Sequence, residues 1–118
     1  MAKFLFVEWL LSWLHETDDF IFEWDSGNRT KSKTKHGVET KDIEDVFYSG
    51  LIVPLGVQIE PEVNEQRLGI VGPSTKGQLL HIVFTIRDGR IRPISGRPAH
   101  KKERIQYAQI LRKISERI

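Results

Sequence analysis

With 118 residues, 39% of them hydrophobic and 29% charged, the chain is sized and composed as one globular domain, which excludes a disordered protein and a pair of domains. It has no cysteine, so disulfides and cysteine–zinc sites are excluded, as suits a cytoplasmic protein. The net charge of +2 conceals a divide: residues 1–65 hold six Lys/Arg against thirteen Asp/Glu, residues 66–118 twelve against three, and the basic half calls for an anionic partner.

The opening MAKFLFVEWLLSWLHE is read as an amphipathic helix within residues 1–18, additional to a body over 19–118. Glu8, Ser12, His15 and Glu16 fall on one side of it, and Phe4, Phe6, Val7, Leu10, Leu11, Trp13 and Leu14 cover the other. It is a poor export signal, because Glu8 interrupts the apolar run and no small-residue cleavage site follows. The run is too short to span a bilayer, and its acidic polar face argues against a membrane surface. Two uses stay open: packing on its own domain, or docking a partner or a second copy as a homodimer.

Phe20 to Trp24 reads as a short strand, ended by the turn Asp25-Ser26-Gly27-Asn28, whose Asp or Ser would cap a helix from Arg29 to His36 closed by Gly37. Thr40 is read as the N-cap of a second short helix with Ile43, Val46 and Phe47 inward. Leu51 to Ile59 is a strand that Pro54 and Gly56 push to an edge or a bulge. Gln66 to Val71 is another, turned at Gly72-Pro73. Gln78 to Arg87 (QLLHIVFTIR) has the strongest strand composition, and Asp88-Gly89 predicts a hairpin that returns Arg90 to Ser95 antiparallel beside it. Pro98 and Ala99 open a final helix reaching about Arg117. Strands joined by short turns predict an α+β fold, an antiparallel sheet of about four strands packed against helices.

The segment ISGRPAHKKERIQY, residues 94–107, resembles the closing signature of the BrnT family of bacterial toxins. FEWD at 22–25, KHGV at 35–38, VF at 46–47, Arg67, Gly72, Gly77 and VFT at 83–85 follow the family's order and spacing, so the likeness covers roughly residues 20–107. The chain departs at Ser32, where the family usually shows Asn, and in its N-terminal helix and the residues from Ala108 onward. The resemblance implies a RelE-like fold and a type II toxin–antitoxin ribonuclease that cleaves mRNA without a metal. It also implies a BrnA-like antitoxin with a ribbon-helix-helix part, which binds operator DNA as a complex with the toxin.

Metal-free RNA cleavage needs a base for the 2′-OH, an acid for the 5′-oxygen, and cations on the phosphate. On a helix, Tyr107, Ile110, Leu111, Ile114 and Ile118 form an apolar stripe that continues N-terminally through Arg104, Glu103 and His100. Arg97, where strand meets helix, is the leading phosphate ligand, joined by Arg92 and Arg104. Glu103 or Tyr107 would move protons, although Glu103 suits a helix cap and Tyr107 a core tyrosine equally well. Arg67 and Arg87 would line the sheet face below, with His100, Lys101, Lys102 and Lys35 extending the RNA groove. No zinc spacing, phosphate loop or dinucleotide fingerprint occurs, so neither metal nor cofactor is expected. The rival reading is a non-catalytic basic module that docks an antitoxin and assists operator DNA binding.

Overall fold

The alternation of LLHIVFTIR sets the architecture, because it gives one strand two apolar faces. In the computed structural model, which describes residues 2–116, this segment is β4 (Leu79–Arg87), next to the last strand of a five-stranded antiparallel meander. The others are β1 (Lys3–Leu5), β2 (Val53–Glu60), β3 (Leu68–Pro73) and β5 (Arg90–Pro98), arranged in chain order. The helices are α1 (Glu8–Glu16), α2 (Lys31–His36), α3 (Thr40–Phe47) and α4 (Lys101–Glu116). The α+β antiparallel expectation holds, with five strands where about four were expected.

One sheet face carries Leu68, Ile70, Leu80, Ile82, Phe84 and Ile91 against Leu10 of α1 and Ile43, Val46 and Phe47 of α3. Phe84 is fully buried, its ring 5.1 Å edge-on from Phe47 and 6.2 Å from the stacked Trp13. Replacing it by alanine is expected to cost about 3–5 kcal/mol in denaturant unfolding, because that aromatic cluster cannot close over the gap. The opposite face is covered only in part. Val53, Val71, Ala99 and Tyr107 form a smaller core under α4, with Leu55, Leu79 and Leu111 beside it.

The N-terminal helix is shorter than expected, since Lys3–Leu5 pairs with β2 as a strand and the helix begins at Glu8. Val7 offers no side-chain cap, so the sequence carries no helix-start signal there, and an all-apolar run fits either periodicity. The helix packs on its own domain through Leu10, Val7, Trp13 and Leu14. Gly56 shows why β1 ends where it does. Its φ is +125°, and a Cβ there would lie 1.9 Å from the Leu5 carbonyl oxygen, so only glycine admits the passing chain. The bulge expected in β2 falls between Pro54 and Gly56, but the strand lies between β1 and β3 rather than at the sheet's edge.

Residues 20–24 do not form a strand of the sheet. Phe22 makes a single parallel bridge to Ile91, with the Ile91 N–H donating to Ile21 and the Glu23 N–H donating to Ile91, both at 2.8 Å. Asn28 donates to the Pro93 carbonyl at 3.0 Å, and Ser32 accepts the Gly96 N–H at 2.8 Å. Residues 21–32 thus cover the outer edge of β5, which would otherwise offer unpaired backbone to another chain. Neither Asp25 nor Ser26 caps α2, which begins later, at Lys31, with Thr30 as an N-cap that makes no side-chain bond.

Gly37 closes α2 in the left-handed region, as expected (φ +69°). The N-cap of α3 is Glu39, not Thr40: Asp42 accepts the Glu39 N–H at 3.0 Å in a capping box. Gly72 and Pro73 stay paired within β3, and the turn follows at Ser74–Gly77. Asp88 and Gly89, with φ of +52° and +74°, form the expected two-residue hairpin turn. β5 continues past Ser95 to Pro98, so α4 opens at Lys101 rather than at Pro98. The expected end at Arg117, and Ile118 of the apolar stripe, lie outside the described residues. Further along that stripe Ile110 is exposed and Leu111 half-buried.

Candidate functional site

Cross-strand register, which no single stretch of sequence displays, assembles the site. On the face that α4 covers only in part, Val71 of β3, His81 of β4 and Arg97 of β5 lie directly opposite one another. Glu103 descends onto this row from the first turn of α4. Its carboxylate accepts two hydrogen bonds from Arg97, at 2.7 and 2.9 Å, and lies 3.5 Å from His81 Nε2. It also accepts the His100 backbone N–H at 2.7 Å, a bond within the start of α4, while the Arg97 bonds tie that helix start to the sheet.

Arg97 keeps a binding edge despite this pairing. Nη1 donates to Glu103 and to the Pro98 carbonyl, and one N–H of Nη2 donates to Glu103. A guanidinium has five N–H groups, so among the described residues Nε–H and the second Nη2–H remain without a partner, side by side, in the geometry that grips two oxygens of a phosphate.

The charges follow from the packing. Burial pushes the Glu103 carboxyl up, but the Arg97 hydrogen bonds and the His100 amide outweigh it and hold its pKa at about 2. Burial and the neighbouring Arg97 charge push His81 down from its ordinary value, against the pull of Glu103. His81 is therefore neutral near pH 7, and Arg97 and the His100 amide are then what keep Glu103 ionised.

Two adjoining hollows open on either side of this cluster. One, of about 370 Å³, is lined by Gln58, Arg67, His81, Ser95, Arg97 and His100, with Lys31 of α2 at its rim. The Nε–H of Arg67 is buried and, among the described residues, has no acceptor. The other, of about 280 Å³, shares Ala2, His81, Arg97 and His100 and adds Phe4, Lys102, Glu103 and Gln106. A third groove, about 350 Å³, runs between α1 and α4 past Leu14, Leu51 and Leu111, but no cationic cluster converges on it.

Of the residues singled out in the sequence, the structure brings together Arg97, Glu103, Arg67, His100 and Lys102. It sends others elsewhere. Arg92 binds Asp25 in bidentate fashion at 2.7 and 3.2 Å and also Glu23 at 3.3 Å, clamping the FEWD segment to β5. That contact lowers the Asp25 pKa and raises that of Arg92. Arg87 pairs with Glu65 at 2.8 Å, and Arg104 donates to the Ala99 carbonyl at 2.7 Å from an exposed position. Tyr107 is 8% exposed and donates its hydroxyl to the Leu51 carbonyl at 2.7 Å, and burial raises its pKa. Lys101 and Lys35 are exposed and line neither hollow.

Sequence reasoning missed His81, Gln58 and Phe4. The signal for His81 was present, a polar residue in the middle of an otherwise apolar strand on the same parity as Val83 and Thr85. Phe4 was hidden by the helical reading of its segment.

The model of a family described as ribonuclease toxin, BrnT, of type II toxin–antitoxin system matches residues 24–103, a stretch that holds Arg67, His81, Arg97, His100 and Glu103 but not Phe4. No curated protein matches the chain.

Proposed function

The chain belongs to the BrnT family of ribonuclease toxins of type II toxin–antitoxin systems, and from that premise we propose that it is an endoribonuclease cutting RNA by in-line attack of the 2′-OH. The supporting observation is the row His81–Arg97 on a partly covered sheet face beside two hollows, with Glu103 bridging the two and Arg67 beside them. The scissile phosphate sits on the free edge of Arg97, with the Arg67 guanidinium beside it. Fixed cations aimed at the developing charge are the largest source of acceleration. They give the phosphate the charge that a metal would otherwise supply, so the reaction proceeds in the presence of chelator.

Glu103, with a pKa of about 2, neither delivers a proton near neutrality nor accepts one readily; it orients Arg97 and His81. Neutral His81 takes the 2′-OH proton, and His100, at the start of α4, protonates the departing 5′-oxygen. The product ends are a 2′,3′-cyclic phosphate and a 5′-hydroxyl. Tyr107 acts as a strut between α4 and Leu51. Tyr107→Phe is therefore expected to leave cleavage at the parent's rate while lowering unfolding free energy by about 1 kcal/mol, read from denaturant titration.

An antitoxin with a ribbon-helix-helix part neutralises the enzyme, and the pair binds its operator in the cytoplasm. No helix among the described residues is long and apolar enough to cross a membrane. The test is to incubate the purified chain with RNA and excess EDTA and to analyse the ends. Cyclic phosphate or 3′-phosphate ends are expected. Intact RNA with the parent protein, under conditions where it is folded, would leave the non-catalytic docking module as the better reading.

A further inference from the structure

β1 brings an aromatic ring to the site from outside the residues that match the family. Phe4 lies opposite Gln58 across the β1–β2 pair, which turns its side chain to the face carrying His81 and Arg97. The ring lies over the backbone of Gly69, where a Cβ would come within 2.6 Å of a ring carbon. Glycine at that position of β3 leaves the room that lets the ring lie so close. On its other side the ring borders the smaller hollow, 5.7 Å from the His81 ring centroid and tilted 59° to it. Gln106 and Lys102 project into the same hollow from α4. An aromatic floor, an amide with both a donor and an acceptor, and a cation at the rim match the parts of a nucleotide: a flat base with a hydrogen-bonding edge, joined to a phosphate.

We propose that the smaller hollow is a nucleobase subsite, in which a base flanking the scissile phosphate stacks on Phe4 and meets Gln106 with its edge. This inference rests on the ribonuclease reading and deepens it: the substrate is single-stranded RNA, whose unpaired bases are free to leave their own stack. Phe4 is thus a specificity-determining residue, and β1 is a working wall of the cleft as well as a fifth strand. Stacking on one aromatic side chain is sequence-tolerant, so it positions the strand, and Gln106 carries the choice among bases.

The experiment compares kcat/KM on three RNAs: the parent, and two in which the nucleotide on one or the other side of the mapped cut is abasic. With the unaltered protein, one of the abasic RNAs is expected to lose about 10- to 100-fold. With Phe4→Leu, which still covers Gly69 with an apolar group, that loss should shrink to about twofold or less, with the parent RNA itself now cut more slowly. Equal losses in the two proteins, or no loss at either position, overturn the subsite and leave the ribonuclease reading standing. No cleavage of the parent RNA by the unaltered protein overturns both. Should Phe4→Leu not fold, 5-iodouridine at the sensitive position answers with the unaltered protein: a photo-cross-link mapped to Phe4 supports the subsite, and one mapped elsewhere overturns it.

Discussion

Arg97→Ala is expected to lower RNA cleavage by about 10²- to 10³-fold, the loss typical when one fixed donor to a developing anion is removed. Three contacts go with the side chain: the free phosphate-facing edge, the two bonds that orient Glu103, and the bond to the Pro98 carbonyl. Glu103 keeps the His100 amide and part of its solvent contact, so the folding penalty stays near 1–3 kcal/mol, about that of leaving a partly buried charge short of a partner. The variant should therefore fold and bind RNA weakly while cutting it slowly. Arg97→Lys separates charge from shape. It keeps the cation but loses the planar fork, so its activity should fall between parent and alanine. Arg92→Ala, on the same strand, is the informative contrast. It releases Glu23 and Asp25 and loosens the 22–25 segment, lowering stability without removing a phosphate ligand.

His81→Gln should lower cleavage by about 10²- to 10⁴-fold and change its pH dependence, which a structural role alone would not do. The parent needs neutral His81. Its kcat/KM should show an acidic limb at the free-enzyme pKa of His81, which burial and Arg97 place below the ordinary 6.5. Glutamine does not titrate, so the variant lacks this acidic limb. Stability runs the same way. Because the folded state lowers the His81 pKa, the contribution of this group is complete above pH 6.5 and is lost as pH falls through the lowered value. Glu103 adds a second loss, its contribution present above 4.5 and disappearing toward 2. Acid unfolding should thus proceed in two regions, and His81→Gln should remove the upper one. Thermal melts from pH 7.5 to 3 measure this.

Local chemistry was legible in the sequence wherever one stretch of chain carried it whole. Asp88-Gly89 marked its turn, Gly37 its helix end, and LLHIVFTIR its strand, because each depends on a few neighbouring residues. Arg97 and Glu103 were legible as candidate residues of one site because strand end and helix start adjoin. What escaped depended on distant partners. Arg92 has the composition of a phosphate ligand, yet Asp25 and Glu23, nearly seventy residues upstream, hold it. Arg87 likewise meets Glu65, and Lys76 meets Asp42. The charge divide between the halves is thus partly spent inside the molecule, and the cations left for an anionic partner include those around Arg97, Arg67 and Lys102. Phe4 and His81 were missed for a related reason: only strand register sets them beside the α4 helix start.

The account turns on a 2′-hydroxyl attacking a phosphate held between Arg97 and Arg67, and one substitution in the substrate addresses it. An RNA with a single 2′-deoxynucleotide on the 5′ side of the mapped cut still presents every phosphate and base. If the account is correct, cleavage at that bond stops, while binding and cleavage at other bonds persist. Cleavage at that bond at the parent rate would show that another nucleophile attacks, and would contradict it.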